Sequence, residues 1–220
     1  MAASEPPRRT AAQRVADAAK RSVGELIIRA SDTASYWASI GPDTPRGRRF
    51  GRFGPGSIVC FPWVAVYNEH YIHIGSNTMI GPHIALSAGM VPGQECITDP
   101  VVSIGDRCLI GRGSSIVGHL TIEIGDDVWT GPQVYITDQN HGYENTALPI
   151  SRQVQPEQPV RIGSGSWLGA GSVVLPGADI GRNVVIGANS VVTGTIPDYS
   201  IAVGAPARVV KQLDPPDLNE

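Results

Sequence analysis

The sequence predicts an all-β domain wound as a parallel β-helix, with a helical cap before it and two loops inserted into it. From Ile162 to Thr193 the chain reads in sixes, IGSGSW, LGAGSV, VLPGAD, IGRNVV, IGANSV and VT. Ile162, Leu168, Val174, Ile180, Ile186 and Val192 therefore recur at an interval of six. That period is neither helical nor a plain strand alternation; it fits short straight segments alternating with turns, the aliphatic leads stacked inside. Glycine follows four of the six leads, as corners with positive or crowded backbone angles require. The 26 Gly and 18 Pro, without the triplet period of collagen, suit a turn-rich solenoid. Three hexads make one triangular coil, so Ile162 is expected under Ile180, Leu168 under Ile186 and Val174 under Val192, with coils about 4.8 Å apart.

In chain order, residues 1–10 read as a disordered lead-in. From Ala11 to about Ala30, Val15, Ala19, Val23, Leu26 and Ile27 recur at helical spacing, with Thr10 as N-cap. Such a helix would cover the open first coil, whose unpaired edge invites aggregation. A basic loop follows, with Arg46, Arg48, Arg49 and Arg52; it reads either as solvated or as a contact for a phosphate or anionic acceptor. The β-helix is expected over 58–212 and settles into register at Ile74. It breaks at 88–103, resumes at Ile104, slips by two at Ile122, restarts at Ile124 and breaks again at 142–159. Insertions of that length in a regular solenoid are functional or disordered. Residues 213–220 form a tail.

Composition narrows the function. A hydrophobic content of 41% in 220 residues suits one large water-soluble domain, and a net charge of −3 argues against general affinity for nucleic acid or anionic membrane. Cys60, Cys96 and Cys108 are odd in number, lack metal-type spacing and read as reduced thiols. No apolar run resembles a signal peptide or a membrane span, so a cytoplasmic location is expected.

One residue carries candidate chemistry. His141 ends a hexad in the run ITDQNHGYEN, at a coil corner and the root of the second insertion. Asp138 and Asn140 are close enough in sequence to orient a ring nitrogen. Neutral imidazole is suited to taking a proton from a hydroxyl or amine at neutral pH, an effect of roughly 10²–10⁴ in rate.

The runs IGDDVWTGPQVYITDQNH, VRIGSGSWLGAGSVVLPGADIGRNVVIGANSVVTGTIP and AVGAPARVVKQL resemble the hexapeptide acyltransferases, in the group of galactoside, maltose and polysaccharide O-acetyltransferases. The resemblance covers about Ile58 to Lys211. It implies a left-handed β-helix, an exception to the right-handed crossover rule. It further implies a homotrimer with sites between subunits and an acyl-CoA co-substrate, acetyl-CoA or succinyl-CoA. By the same resemblance His141 falls on the general base, Trp167 beside the pantetheine groove, and Ala170, next to Gly169, on the backbone donor facing the thioester oxygen. Ala188 and Thr193 fall on cofactor-lining positions, and Arg208 and Lys211 on basic positions near the cofactor's phosphates.

Two departures bear on the acceptor. Relatives with small galactoside acceptors carry aspartate where this chain has His119, and a common lysine is Gly194 here. A sugar or polysaccharide acceptor bound by His119, His83, Tyr143, Asn145 and the 88–103 loop is expected instead, as in the branch that decorates cell-envelope or storage polysaccharides, actinobacterial members included. The expected reaction is direct transfer with His141 as base and no covalent cysteine intermediate. Two other readings stand beside it. A γ-type carbonic anhydrase would need three histidines on zinc, but no two of the five histidines have that family's five-residue spacing. A scaffold without catalysis would leave His141 and its loop without a purpose.

Overall fold

The computed structural model describes residues 10–215, the side chain of Val15 excepted. The N-terminal helix forms one compact unit, and the chain from Ser39 onward forms a second. The helix runs Ala11–Ala38. It opens on a reciprocal cap: Thr10 Oγ1 accepts the Gln13 N–H at 3.3 Å and Gln13 Oε1 accepts the Thr10 N–H at 2.8 Å. The helix extends past the expected Ala30 because Ser31 to Ala38 hold no proline or glycine to stop it, although their polar residues dilute the apolar period.

The second unit is a parallel β-helix of three sheets with seven, eight and six strands. Up to Ser200–Val203 each strand is followed by one in the next sheet, so every sheet collects each third strand. The first sheet opens with Arg52–Phe53, the second with Ile58–Val59 and the third with Ala65–Tyr67. The solenoid thus begins at Arg52, before the expected residue 58, and one of the loop arginines is a strand residue. Another, Arg46, is structural: its Nε donates to Glu69 at 3.0 Å and its guanidinium lies 4.2 Å from the Trp63 ring centroid.

The three expected stackings hold, Ile162 against Ile180, Leu168 against Ile186 and Val174 against Val192. The irregular stretches are absorbed at corners: Ile74 pairs with Ile104, Ile104 with Ile124 and Ile124 with Ile162, across separations that differ while the ladder stays continuous. Inside, Ile74, Ile104, Ile124, Ile162 and Ile180 form one unbroken apolar file, each at most 3% exposed. Where glycine follows a lead it answers crowding between coils. A Cβ on Gly163 would sit 2.5 Å from the Gly181 carbonyl carbon. Positive φ falls two residues later, as at Gly165 and Asn183.

The outward files differ by face. The first sheet shows Arg52, His73, Ser103, Glu123, Arg161 and Asp179; the second shows Met79, Leu109, Trp129, Trp167 and Val185; the third shows Ala65, Ala85, Ser115, Tyr135, Val173 and Val191. The last strand, Arg208–Gln212, turns back antiparallel against Ser200–Val203 at the edge of the second sheet.

Candidate active site

His141 lies where the third sheet hands over to the first. The chain leaves the coil after Tyr135–Thr137 and returns at Val160–Ile162. The two arms of this insertion pair antiparallel at its root: Gln139 bridges Glu157, the Gln158 N–H donates to the Asp138 carbonyl at 2.9 Å, and the Asn140 N–H to the Pro156 carbonyl at 3.0 Å. The same register sets His141 opposite Gln155, whose amide nitrogen is 3.3 Å from His141 Nδ1. Gly142 comes next, so close to the far arm that a Cβ there would be driven into the Val154 carbonyl oxygen. Gln153 ties the tip, its Oε1 accepting the Asn145 N–H at 3.0 Å and its Nε2 donating to the Asn145 and Leu148 carbonyls at 3.0 and 3.1 Å.

The insertion walls a cleft of about 780 Å³. Asn140, His141, Tyr143 and Asn145 line one side, and Leu175, Pro176 and Thr193, from the same corner of the following coils, line the other. Four of the residues expected in the site thereby meet, and Thr193 joins them rather than the other cofactor positions.

Asp138 does not orient the ring. It is fully buried, and its carboxylate accepts the backbone N–H of His119 at 2.8 and 3.0 Å and that of Leu120 at 2.8 Å. Burial pushes its carboxyl above the ordinary range, opposed by those N–H groups. Asn140 Oδ1 accepts the backbone N–H of His141 at 2.9 Å and so shapes the turn. His119 braces the insertion: its Nδ1 is 2.6 Å from Glu157 Oε1, which also accepts from Gln139 Nε2 at 3.1 Å. Its Nε2 is buried without a partner, and the ring is outside the lining of the cleft.

Four further expected positions gather at a different corner, between the second and third sheets. Gly169, Ala170 and Ala188 stack there, and exposed His83 occupies the same corner in an early coil. Trp167 precedes them on the outward face, half exposed and directly against Trp129 in the ladder, in a groove of about 320 Å³ with Asp127. The Gly169 N–H donates to Ile186 at 2.7 Å, while the Ala170 N–H donates to no acceptor among the described residues. Two of the stacked equivalents of Ala170 in earlier coils are Pro82 and Pro132, which have no N–H to give; the fold does not need this donor, and Ala170 leaves it available. Arg208 and Lys211 are exposed on the reversed last strand, opposite Val203 and Ile201, with Arg208 Nη1 on the Ala207 carbonyl at 2.8 Å. Ala170 and Leu175 bound the third sheet in one coil, five residues apart. Within one chain His141 and Ala170 are therefore on opposite edges of a sheet.

Gln155, Glu157 and Gln153 carry no periodic or motif signal, and only the pairing of the insertion's arms reveals their part. Cys60, Cys96 and Cys108 have thiols pushed up by burial and do not line the cleft. Among the described residues no group of three or more His, Cys, Asp or Glu could hold a metal ion, and no helix is long and apolar enough to cross a membrane.

The bacterial transferase hexapeptide family (six repeats) matches residues 159–194, and the hexapeptide repeat of succinyl-transferase matches residues 101–137. WbbJ of Escherichia coli K12, named for O-acetyl transfer in lipopolysaccharide biosynthesis, is 33% identical over 71% of this chain and 79% of its own length. Rv3034c of Mycobacterium tuberculosis, described as a probable acetyltransferase, is 41% identical over 64% of this chain; the match spans 42% of that relative's length. Among solved structures, a point mutant of the N-acyltransferase AntD from Bacillus cereus superposes with a TM-score of 0.68 at 21% identity, over 81% of this chain and 91% of that one, and so shares the fold. With its six-residue period, its coil topology and a relative matched over most of its length, the chain belongs to the hexapeptide-repeat acyltransferases, enzymes built on the left-handed parallel β-helix.

Proposed function

We propose that the chain is an acyl-CoA-dependent O-acyltransferase that moves an acetyl or succinyl group onto a hydroxyl of a sugar or polysaccharide, working as a homotrimer. The observation that carries this reading is the cleft: His141 stands in a polar and aliphatic recess with Asn140, Tyr143 and Asn145, roomy enough at about 780 Å³ for a carbohydrate. The name of WbbJ supports the acceptor class.

His141 takes the proton of the acceptor hydroxyl as its oxygen attacks the thioester carbonyl carbon. The Ala170 N–H stabilises the negative charge that develops on the carbonyl oxygen. The carbon–sulfur bond then breaks, and His141 returns its proton to the sulfur, so that no net proton is gained or lost. Because His141 and Ala170 border opposite edges of the third sheet, both act on one substrate only when the His141 corner of one subunit meets the Ala170 corner of the next. A threefold ring with the third sheets turned toward the axis brings this about three times.

The test is product mass spectrometry with acetyl-, succinyl- and longer acyl-CoA against a panel of sugars and oligosaccharides. His141→Ala is expected to keep CoA binding and assembly while losing at least about 10² in turnover. Retained turnover in a correctly folded variant would refute the base, and absent CoA binding in the native chain would refute the transferase reading.

A further inference from the structure

We propose that Gln155 is a positioning residue that decides which ring nitrogen of His141 carries the proton, and this rests on the reading of His141 as the general base. The contact follows from backbone register. Gln139 bridges Glu157, Asn140 bonds to Pro156, and His141 is thereby set across from Gln155, where cross-strand side chains meet. The far arm is held in turn, since Glu157 is anchored 2.6 Å from His119 Nδ1 on the coil.

Gln155 Nε2 is placed 3.3 Å from His141 Nδ1, but the two ends of an amide have the same shape and exchange by a flip, so the chemistry of the pair chooses which end faces the ring. With the amide oxygen toward Nδ1, the ring keeps its proton there and Nε2 holds a free lone pair. With the amide nitrogen toward Nδ1, that lone pair is engaged, Nε2 holds the proton, and the neutral ring has no site left to accept one from a hydroxyl. General-base chemistry therefore requires the oxygen to face the ring. Asp138 and Glu144 are the carboxylates nearest in sequence, three residues to either side of His141; Asp138 is occupied by the backbone N–H groups of His119 and Leu120. The other titratable groups lining the cleft are Tyr143, Glu144 and Arg152.

The experiment is long-range ¹H–¹⁵N NMR of histidine-labelled full-length protein without substrate, at a pH where the ring is neutral, with His141 assigned by the signal lost in His141→Ala. The native protein is expected to show protonated Nδ1 and bare Nε2. Gln155→Leu is expected to move the ring toward the Nε2-protonated form and to lower kcat at least about tenfold with KM for acyl-CoA retained. Gln155→Glu, which presents only oxygen, should restore the Nδ1-protonated form and recover most of the lost kcat. A native ring protonated on Nε2, or a tautomer indifferent to Gln155→Leu, overturns the proposal. Undiminished turnover of His141→Ala overturns the base reading instead, and the two failures are read from different measurements.

Discussion

Asp138 and Gln155 have exchanged the parts that proximity along the chain would assign them. Asp138, three residues from His141, serves the backbone of the neighbouring coil, and Gln155, fourteen residues away, reaches the ring. Sequence spacing singles out His141 through its corner position, but the pairing of the insertion's arms depends on contacts that no period announces. The Asp138→Ala variant is expected to strand the buried N–H groups of His119 and Leu120 at a cost of about 2–4 kcal/mol, seen as a lower denaturant midpoint. The sign of its pH dependence follows from the raised carboxyl. The folded state holds the proton at pH values where the unfolded chain has released it, so from about pH 4, the ordinary carboxylate value, up to the raised folded value, this group makes stability fall as pH rises. Asp138→Asn should remove that slope, and a slope that persists in denaturation series across this range would assign it to another group.

At the scale of the element, the hexad was legible because one lead per six residues must point inward if the coils are to stack, and that constraint is written in residue type. Where the period fails, at 88–103 and 142–159, the ladder is continued by pairing across the gap, as Ile124 with Ile162; the sequence marks these as excursions and is silent on their internal bonds. The helix was legible in its start, through Thr10, and less so in its end, because the apolar period fades after Ala30, well before the Gly41-Pro42 pair that follows the last turn. Ile180 is sandwiched between Ile162 and Ile196 and wholly buried. Its replacement by Ala is expected to cost about 2–5 kcal/mol, because the cavity would open against two coils at once. A denaturant midpoint unchanged from native would mean that the coils close up around the gap.

At the scale of the whole molecule, two corners hold the proposed site residues and one sheet separates them. Family resemblance supplied the residues, while the topology shows that His141 and Thr193 share one corner and Gly169, Ala170 and Ala188 another. His141→Ala and Trp167→Ala, each expected to be inactive under the proposed mechanism, should therefore rescue each other when co-expressed. In randomly mixed trimers about a quarter of the sites would combine an intact His141 corner with an intact Trp167 corner. The doubly substituted chain should show no rescue by either, and mixed assemblies no more active than their parents would place both corners in one subunit's site. The reversed final strand has its own consequence. A solenoid has no inherent length, since each coil is a template for another; a fibre could grow from its end as readily as a crystal face grows. By running backward across the top of the second sheet with Arg208 and Lys211 upon it, Arg208–Gln212 presents an arriving coil with strand direction and charge that do not match its own.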